Sequence, residues 1–168
     1  MKRVLIVGAI VLLIAGMEAI AEVGVGAKFL SGGIPFIVGD FGGEALSMEL
    51  GVGLQSVNIL GLVNWTMIWY SGIARAAFPI GAFAPYVGMG GIGLTIIVSS
   101  ALAEDGGSGS IFGVTGEGGL RYSFKDMGLP LRVFGGVTVN WFPMAGLLED
   151  IGFGGVSMGW HIGAVLTF

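Results

Sequence analysis

The sequence predicts an all-β protein, a closed antiparallel up-and-down transmembrane β-barrel of about eight strands preceded by a cleavable signal peptide. Three observations predict it. The composition favours lipid over water, apolar and polar side chains take turns along several segments, and short connections alternate with long ones.

Of the 168 residues, 54% are hydrophobic and only 11% charged, and the mean hydropathy of +0.92 lies above that of an ordinary soluble domain. Inside lipid, only helices and closed barrels satisfy every backbone polar group, so the choice between them rests on period. Glycine occurs 34 times without the three-residue period of collagen, which points to tight packing of another kind. With no cysteine, disulfides, thiolate metal sites, cysteine nucleophiles and an N-terminal lipid anchor are excluded. One histidine and no cysteine leave no transition-metal site, and no cofactor is expected. A net charge of −4 offers no basic field to nucleic acid.

Lys2 and Arg3 form a positive start, residues 4–16 an apolar stretch, and Ala19-Ile20-Ala21 a small-residue cleavage site before Glu22. Residues 1–21 are therefore expected to be a signal peptide and residues 22–168 a single barrel domain.

The final segment shows the alternation best. Val156, Met158, Trp160, Ile162, Ala164, Leu166 and Phe168 share one parity, and Ser157, Gly159, His161, Gly163, Val165 and Thr167 the other. That is the period of a strand with one face in lipid. Residues 45–57 put Leu46, Met48, Leu50, Val52 and Leu54 outward, with Glu49 and Gln55 inward. Residues 112–124 keep Thr115, Glu117 and Arg121 inward, and residues 131–142 keep Arg132, Thr138 and Asn140 there. Every charge in these four segments falls on the inward parity. Residues 22–30 place Lys28 inward, residues 36–41 give a short strand with Asp40, and residues 84–98 are apolar on both parities. Residues 64–78 conflict. If Ala74 and Ala76 face lipid, Trp65, Met67, Trp69 and Arg75 face the lumen, and a bulge would reconcile the two halves. A helical bundle would use the uncharged runs 56–74 and 86–103, but it leaves the alternation unexplained.

Short connections at 42–44, 79–82 and 125–129 alternate with longer ones at 101–110 and 144–155. Glu104, Asp105, Glu149 and Asp150 make the longer set acidic. An even strand count puts both chain ends on the side of the short turns, which is the outer-membrane pattern.

Ala84-Pro85-Tyr86-Val87-Gly88-Met89-Gly90-Gly91-Ile92-Gly93, a glycine-rich Pro-Tyr-Val-Gly strand start, together with the terminal Phe168, resembles the small porin-like eight-stranded outer-membrane barrels. The resemblance implies a bacterial outer-membrane location, a lipid environment, and reading of Phe168 by the barrel assembly machinery. It implies no single activity.

Two motif matches carry no chemistry. Residues 88–93 fit G-x-G-x-x-G, yet no strand-turn-helix unit or later acidic ribose partner accompanies them. Residues 155–159 fit G-x-S-x-G but run straight into a strand, with no sharp turn into a helix. His161 lies on the lumen parity with Ser157 about 13 Å away along the strand, too far for a dyad. Lipid A deacylases of similar size pair a histidine with a serine two residues on, and that position here is Gly163. If simple hairpins set Phe124 opposite Leu131 and Pro143 opposite Val156, Glu117, Thr138 and His161 share one layer. A carboxylate-imidazole pair there would do acid-base work on a lipid; the alternative is a satisfied polar plug.

The inward set Lys28, Arg121 and Arg132 against Asp40, Glu49 and Glu117, with Gln55, Thr115, Thr138, Asn140 and His161, predicts a paired network filling a narrow lumen. Trp65 and Trp69 are candidates for an apolar pocket, although an aromatic girdle facing lipid is the favoured placement. The expected function is a barrel without enzymatic activity that contributes to envelope integrity or slow solute passage. A conduit or binder for small hydrophobic molecules is the alternative, and a lipid-modifying enzyme the third.

Overall fold

The computed structural model describes residues 22–59, 63–100, 106–143 and 155–168. The expected signal peptide and the acidic residues Glu104, Asp105, Glu149 and Asp150 lie outside them.

Eight antiparallel strands follow one another around a closed barrel: β1 (Glu22–Leu30), β2 (Ile34–Gly42), β3 (Leu46–Ile59), β4 (Val63–Ala77), β5 (Phe83–Ser100), β6 (Gly107–Ser123), β7 (Leu131–Phe142) and β8 (Gly155–Thr167). β8 pairs back onto β1 from Gly24↔Thr167 to Leu30↔His161, so the sheet has no free edge along that seam. The up-and-down barrel read from the sequence is therefore the fold. The described parts of the runs considered for helices, residues 56–59, 63–74 and 86–100, are strand, and among the described residues no helix is long and apolar enough to cross a membrane.

The short 36–41 segment belongs to a longer strand, pairing with β1 along Glu22↔Gly42 to Leu30↔Ile34. β4 needs no bulge. It pairs without interruption to β3 (Leu46↔Ala76 to Ile59↔Val63) and to β5 (Val63↔Ser100 to Ala77↔Tyr86). One parity faces inward along its whole length, so Met67, Trp69, Ile73, Arg75 and Ala77 are all buried.

The outer surface is apolar. Val25, Ile37, Leu54, Met89, Phe112, Val137, Trp141, Met158, Trp160 and Ile162 all stand exposed on it. A contiguous band of this kind far exceeds the patches a water-soluble monomer leaves bare, and it suits a hydrocarbon surround.

The glycines answer to steric demand at the strand crossings. A Cβ on Gly90 would lie 1.9 Å from the Gly72 carbonyl oxygen, and one on Gly26 would lie 1.9 Å from that of Ala164. Gly93 is covered by the Tyr70 ring, which also meets Phe112 at 5.7 Å between centroids. Inside, Gly53 makes room for Phe36, and Gly163 for Phe134.

The wall has uneven height. β5 runs 18 residues, while β1 and β2 run 9 each. The β2–β3 ladder ends at Phe36↔Gly53, although β3 continues beside β4 to Ile59. The β1–β8 ladder ends at Leu30↔His161, although β8 continues beside β7 to Gly155.

Candidate functional site

The chemistry of this chain sits in the lumen. Because neighbouring residues of a strand point to opposite faces, inward positions of all eight strands converge on one axis, and an interior of this size is filled by the side chains themselves.

At its centre two cations and two carboxylates form a closed square. Lys28 Nζ donates to Glu49 Oε1 at 2.9 Å and to Glu117 Oε2 at 2.8 Å. Arg75 donates through Nη2 to Glu49 Oε2 at 2.6 Å and through Nε to Glu117 Oε1. β1, β3, β4 and β6 each supply one corner, and all four residues are buried. The formal charges cancel within the square. Gly88, on β5 between Arg75 and Glu117, leaves the space these chains occupy, since a Cβ there would approach Glu117 Cγ to 3.0 Å and Arg75 Cγ to 3.1 Å. The Arg75 guanidinium also lies over the rings of Phe134 (4.8 Å) and Tyr86 (5.4 Å), which favours its charge further.

His161 adjoins this square. Its Nδ1 is hydrogen-bonded to Thr138 Oγ1 at 2.8 Å, its Nε2 to the Tyr86 hydroxyl, and Nε2 stands 3.9 Å from Glu117 Oε2. Glu117, Thr138 and His161 thus come together, although by a different register from the expected one. β7 and β8 pair as Trp141↔Val156, which sets His161 opposite Gly136 and makes its contact with Thr138 diagonal. The expected Pro143↔Val156 pairing is displaced by two residues because the long 144–154 connection does not fix where the hairpin starts. With both ring nitrogens engaged and only 2% of the residue exposed, the imidazole is a satisfied core group. Replacing Tyr86 with phenylalanine would leave Nε2 buried without that partner. The expected cost is about 1–3 kcal/mol, read as a lower midpoint of thermal unfolding.

Toward the short turns the ion pairs continue outward. Arg132 bonds Asp40 at 2.9 Å and Glu22 at 2.6 Å, and Glu22 accepts from Lys125 at 2.9 Å on the exposed turn. That bond holds the Lys125 ammonium above the ordinary lysine range. Arg121 departs from the expected ion pairing, donating instead to the backbone carbonyl of Glu44 in the β2–β3 connection.

Toward the other end the lumen turns apolar, with Met67, Trp69, Ile92, Leu94 and Phe142 packed together. Trp69 points inward and is buried, which corrects the favoured lipid-facing girdle. Trp65 shares its parity and is half-buried. Gln55 and Asn140 are half-buried on the inward parity, and Thr115 is fully buried. Between the square and this apolar region lies a void of about 10 Å³ lined by Lys28, Ile73, Thr115, Thr138 and Asn140, room for a single water at most. Among the described residues no cluster of potential ligands could hold a metal ion.

Sequence reasoning misses Arg75 as a corner of the square and Tyr86 as the partner of His161. Arg75 is the sole charge in its segment, and that is the signal that could have found it.

Comparison with solved structures returns the same architecture. The N-terminal β-barrel domain of Pseudomonas aeruginosa OprF superimposes with a TM-score of 0.62 at 13% identity, covering 88% of this chain and 96% of that one. The fold is that of the small outer-membrane barrels. A major outer membrane protein from Thermus thermophilus matches with a TM-score of 0.56 at 15% identity over 88% of this chain and 99% of that one. Neisserial surface protein A gives 0.55 at 13% over 88% and 94%. No protein-family model and no curated protein matches the sequence.

Proposed function

We propose that this protein resides in a bacterial outer membrane as a transmembrane barrel without enzymatic activity, and that its filled lumen contributes to envelope integrity while barring free passage of solutes. The observation that carries this reading is the buried square of Lys28, Arg75, Glu49 and Glu117. An ion moving along the axis would have to break pairs whose charges have no water to fall back on. His161 and the two hydroxyls that hold its ring nitrogens, those of Tyr86 and Thr138, are all buried, which closes them off from a substrate and favours a structural role over a catalytic one.

The apolar outer band fits lipid as the principal partner. Phe168 exchanges backbone hydrogen bonds with Val23 while its ring stands exposed, a placement suited to recognition by the assembly machinery. Nothing in the charge pattern invites nucleic acid.

Planar-bilayer recording of the refolded protein tests the reading. Silent bilayers at moderate voltage are expected, and stable open channels at zero applied ligand would overturn the closed lumen. Gel migration before and after boiling tests membrane insertion separately, because a closed barrel resists unfolding in detergent and shifts only when heated.

A further inference from the structure

We propose that the outward face of β3–β6, at the end away from the short turns, is a docking surface for lipids with an uncharged sugar head group, held there in preference to phosphate-bearing lipids. The proposal rests on insertion of the barrel with its long connections outside, and it names which lipids of that leaflet the wall favours.

The height of the apolar band locates this surface. On β4 the outward parity runs from Phe78 through Ala76, Ala74, Gly72 and Tyr70 to Ile68, with the Tyr70 hydroxyl as its one polar side-chain group. That run rises about 26 Å along the barrel axis, at ~3.4 Å per residue and a strand tilt of ~40°. Barrels of this kind present an apolar band of about 25 Å to hydrocarbon. The next outward residues, Thr66 and Asn64, therefore stand at the head groups.

Cross-strand neighbours widen this polar surface. The register sets Ser56, Thr66, Ile97 and Ser108 side by side, with Asn58, Asn64 and Ser99 in the row beyond. On the row nearer the band, Thr95 and Ser110 share a hydrogen bond of 2.9 Å. The inward parity of the same stretch carries Trp65, Ile96 and Val98. Polarity here belongs to the outer face and is not a general property of the strand ends.

Charge selects the head group. About a quarter of the residues in an average soluble domain are charged, yet these rows carry hydroxyls and amides alone. Every lysine and arginine from residue 22 onward lies elsewhere: Lys28, Arg75, Arg121 and Arg132 are buried, and Lys125 is on the β6–β7 turn at the opposite end. In sequence, the connections that join the strands at this end contribute Glu104, Asp105, Glu149 and Asp150 and no cation. A phosphate head group would find no positive partner here, and carboxylates in the adjoining connections. Sugar hydroxyls both donate and accept, as do the side chains of serine, threonine and asparagine, so bonds between them form in either direction.

The test uses the full chain refolded into nanodiscs of equal parts digalactosyl diacylglycerol, phosphatidylglycerol and phosphatidylcholine with matched acyl chains. The chain has no cysteine, so Ile97→Cys carries a benzophenone photocrosslinker into the polar row and leaves each polar side chain in place. Ile80→Cys, exposed on the short β4–β5 connection at the other end, is the reference. Mass spectrometry of the adducts reads the lipids at each position. The ratio of galactolipid to phosphatidylglycerol at residue 97 should exceed that at residue 80 by about fivefold, the factor one net hydrogen bond contributes. Adding Thr66→Lys and Ser108→Lys, on either side of residue 97, should remove the excess. Equal ratios at the two positions, or an excess that survives both lysines, overturns the surface. Phosphatidylcholine enriched at residue 97 as strongly as the galactolipid overturns the sugar assignment, because its head group holds a phosphate without net charge. Heat-shifted gel migration of each variant separates these results from a failure of the barrel to insert.

Discussion

Glu117→Leu is expected to lower the stability of the barrel by about 3–5 kcal/mol, the cost of leaving a buried charge without its partner. Glu117 accepts from both Lys28 and Arg75, so its loss leaves two cations facing the single carboxylate of Glu49. The direction is testable by urea-dependent unfolding in lipid vesicles, followed by tryptophan fluorescence. The companion double variant Lys28→Met with Glu117→Leu removes one charge of each sign and leaves Arg75 with Glu49 as a neutral pair. It should recover a large part of the loss, since replacing a whole buried pair by apolar groups is often nearly neutral. A double variant as unstable as the sum of the two single ones would show that the square does not act as a unit.

Gly90→Val is the other large effect expected, on the order of 3 kcal/mol or more and severe enough to reduce the yield of closed barrel. Its first added carbon would stand 1.9 Å from the Gly72 carbonyl oxygen and 2.7 Å from Ile73 Cα, both backbone atoms that cannot swing aside. Gly91→Ala is the control, because the nearest atom to a Cβ there is 4.0 Å away. If the two variants show the same fraction of heat-modifiable protein, the strand crossing is looser than its geometry indicates. The glycine spacing that imitates a nucleotide-binding fingerprint thus has a steric origin: Gly88 clears the ion pairs, Gly90 the neighbouring strand, and Gly93 the Tyr70 ring.

How legible each strand is depends on what its inward face carries. β8 is plain because Ser157, His161 and Thr167 contrast with the tryptophan and aliphatic residues between them. β4 is not, since Met67, Trp69 and Ile73 face a lumen that is itself apolar at that height, and polarity stops marking direction there. Only Arg75 points to the right parity, and an assumed bulge hides it. The residues around His161 are grouped correctly by counting, but the β7–β8 register is not, because a connection as long as 144–154 leaves the pairing to side-chain fit. The bond from Arg121 to a backbone carbonyl leaves no trace in the sequence, since every residue type carries that acceptor.

The square in the lumen also separates this barrel from its bathing medium. Dissolved ions weaken attractions between charges they can surround, over a screening distance of about 8 Å at physiological ionic strength. Lys125 and Glu22 at the rim are open to that attenuation. The four central groups are enclosed by protein, so brine and fresh water present them with the same surroundings, and the hold they exert on the wall is indifferent to the salinity its host inhabits.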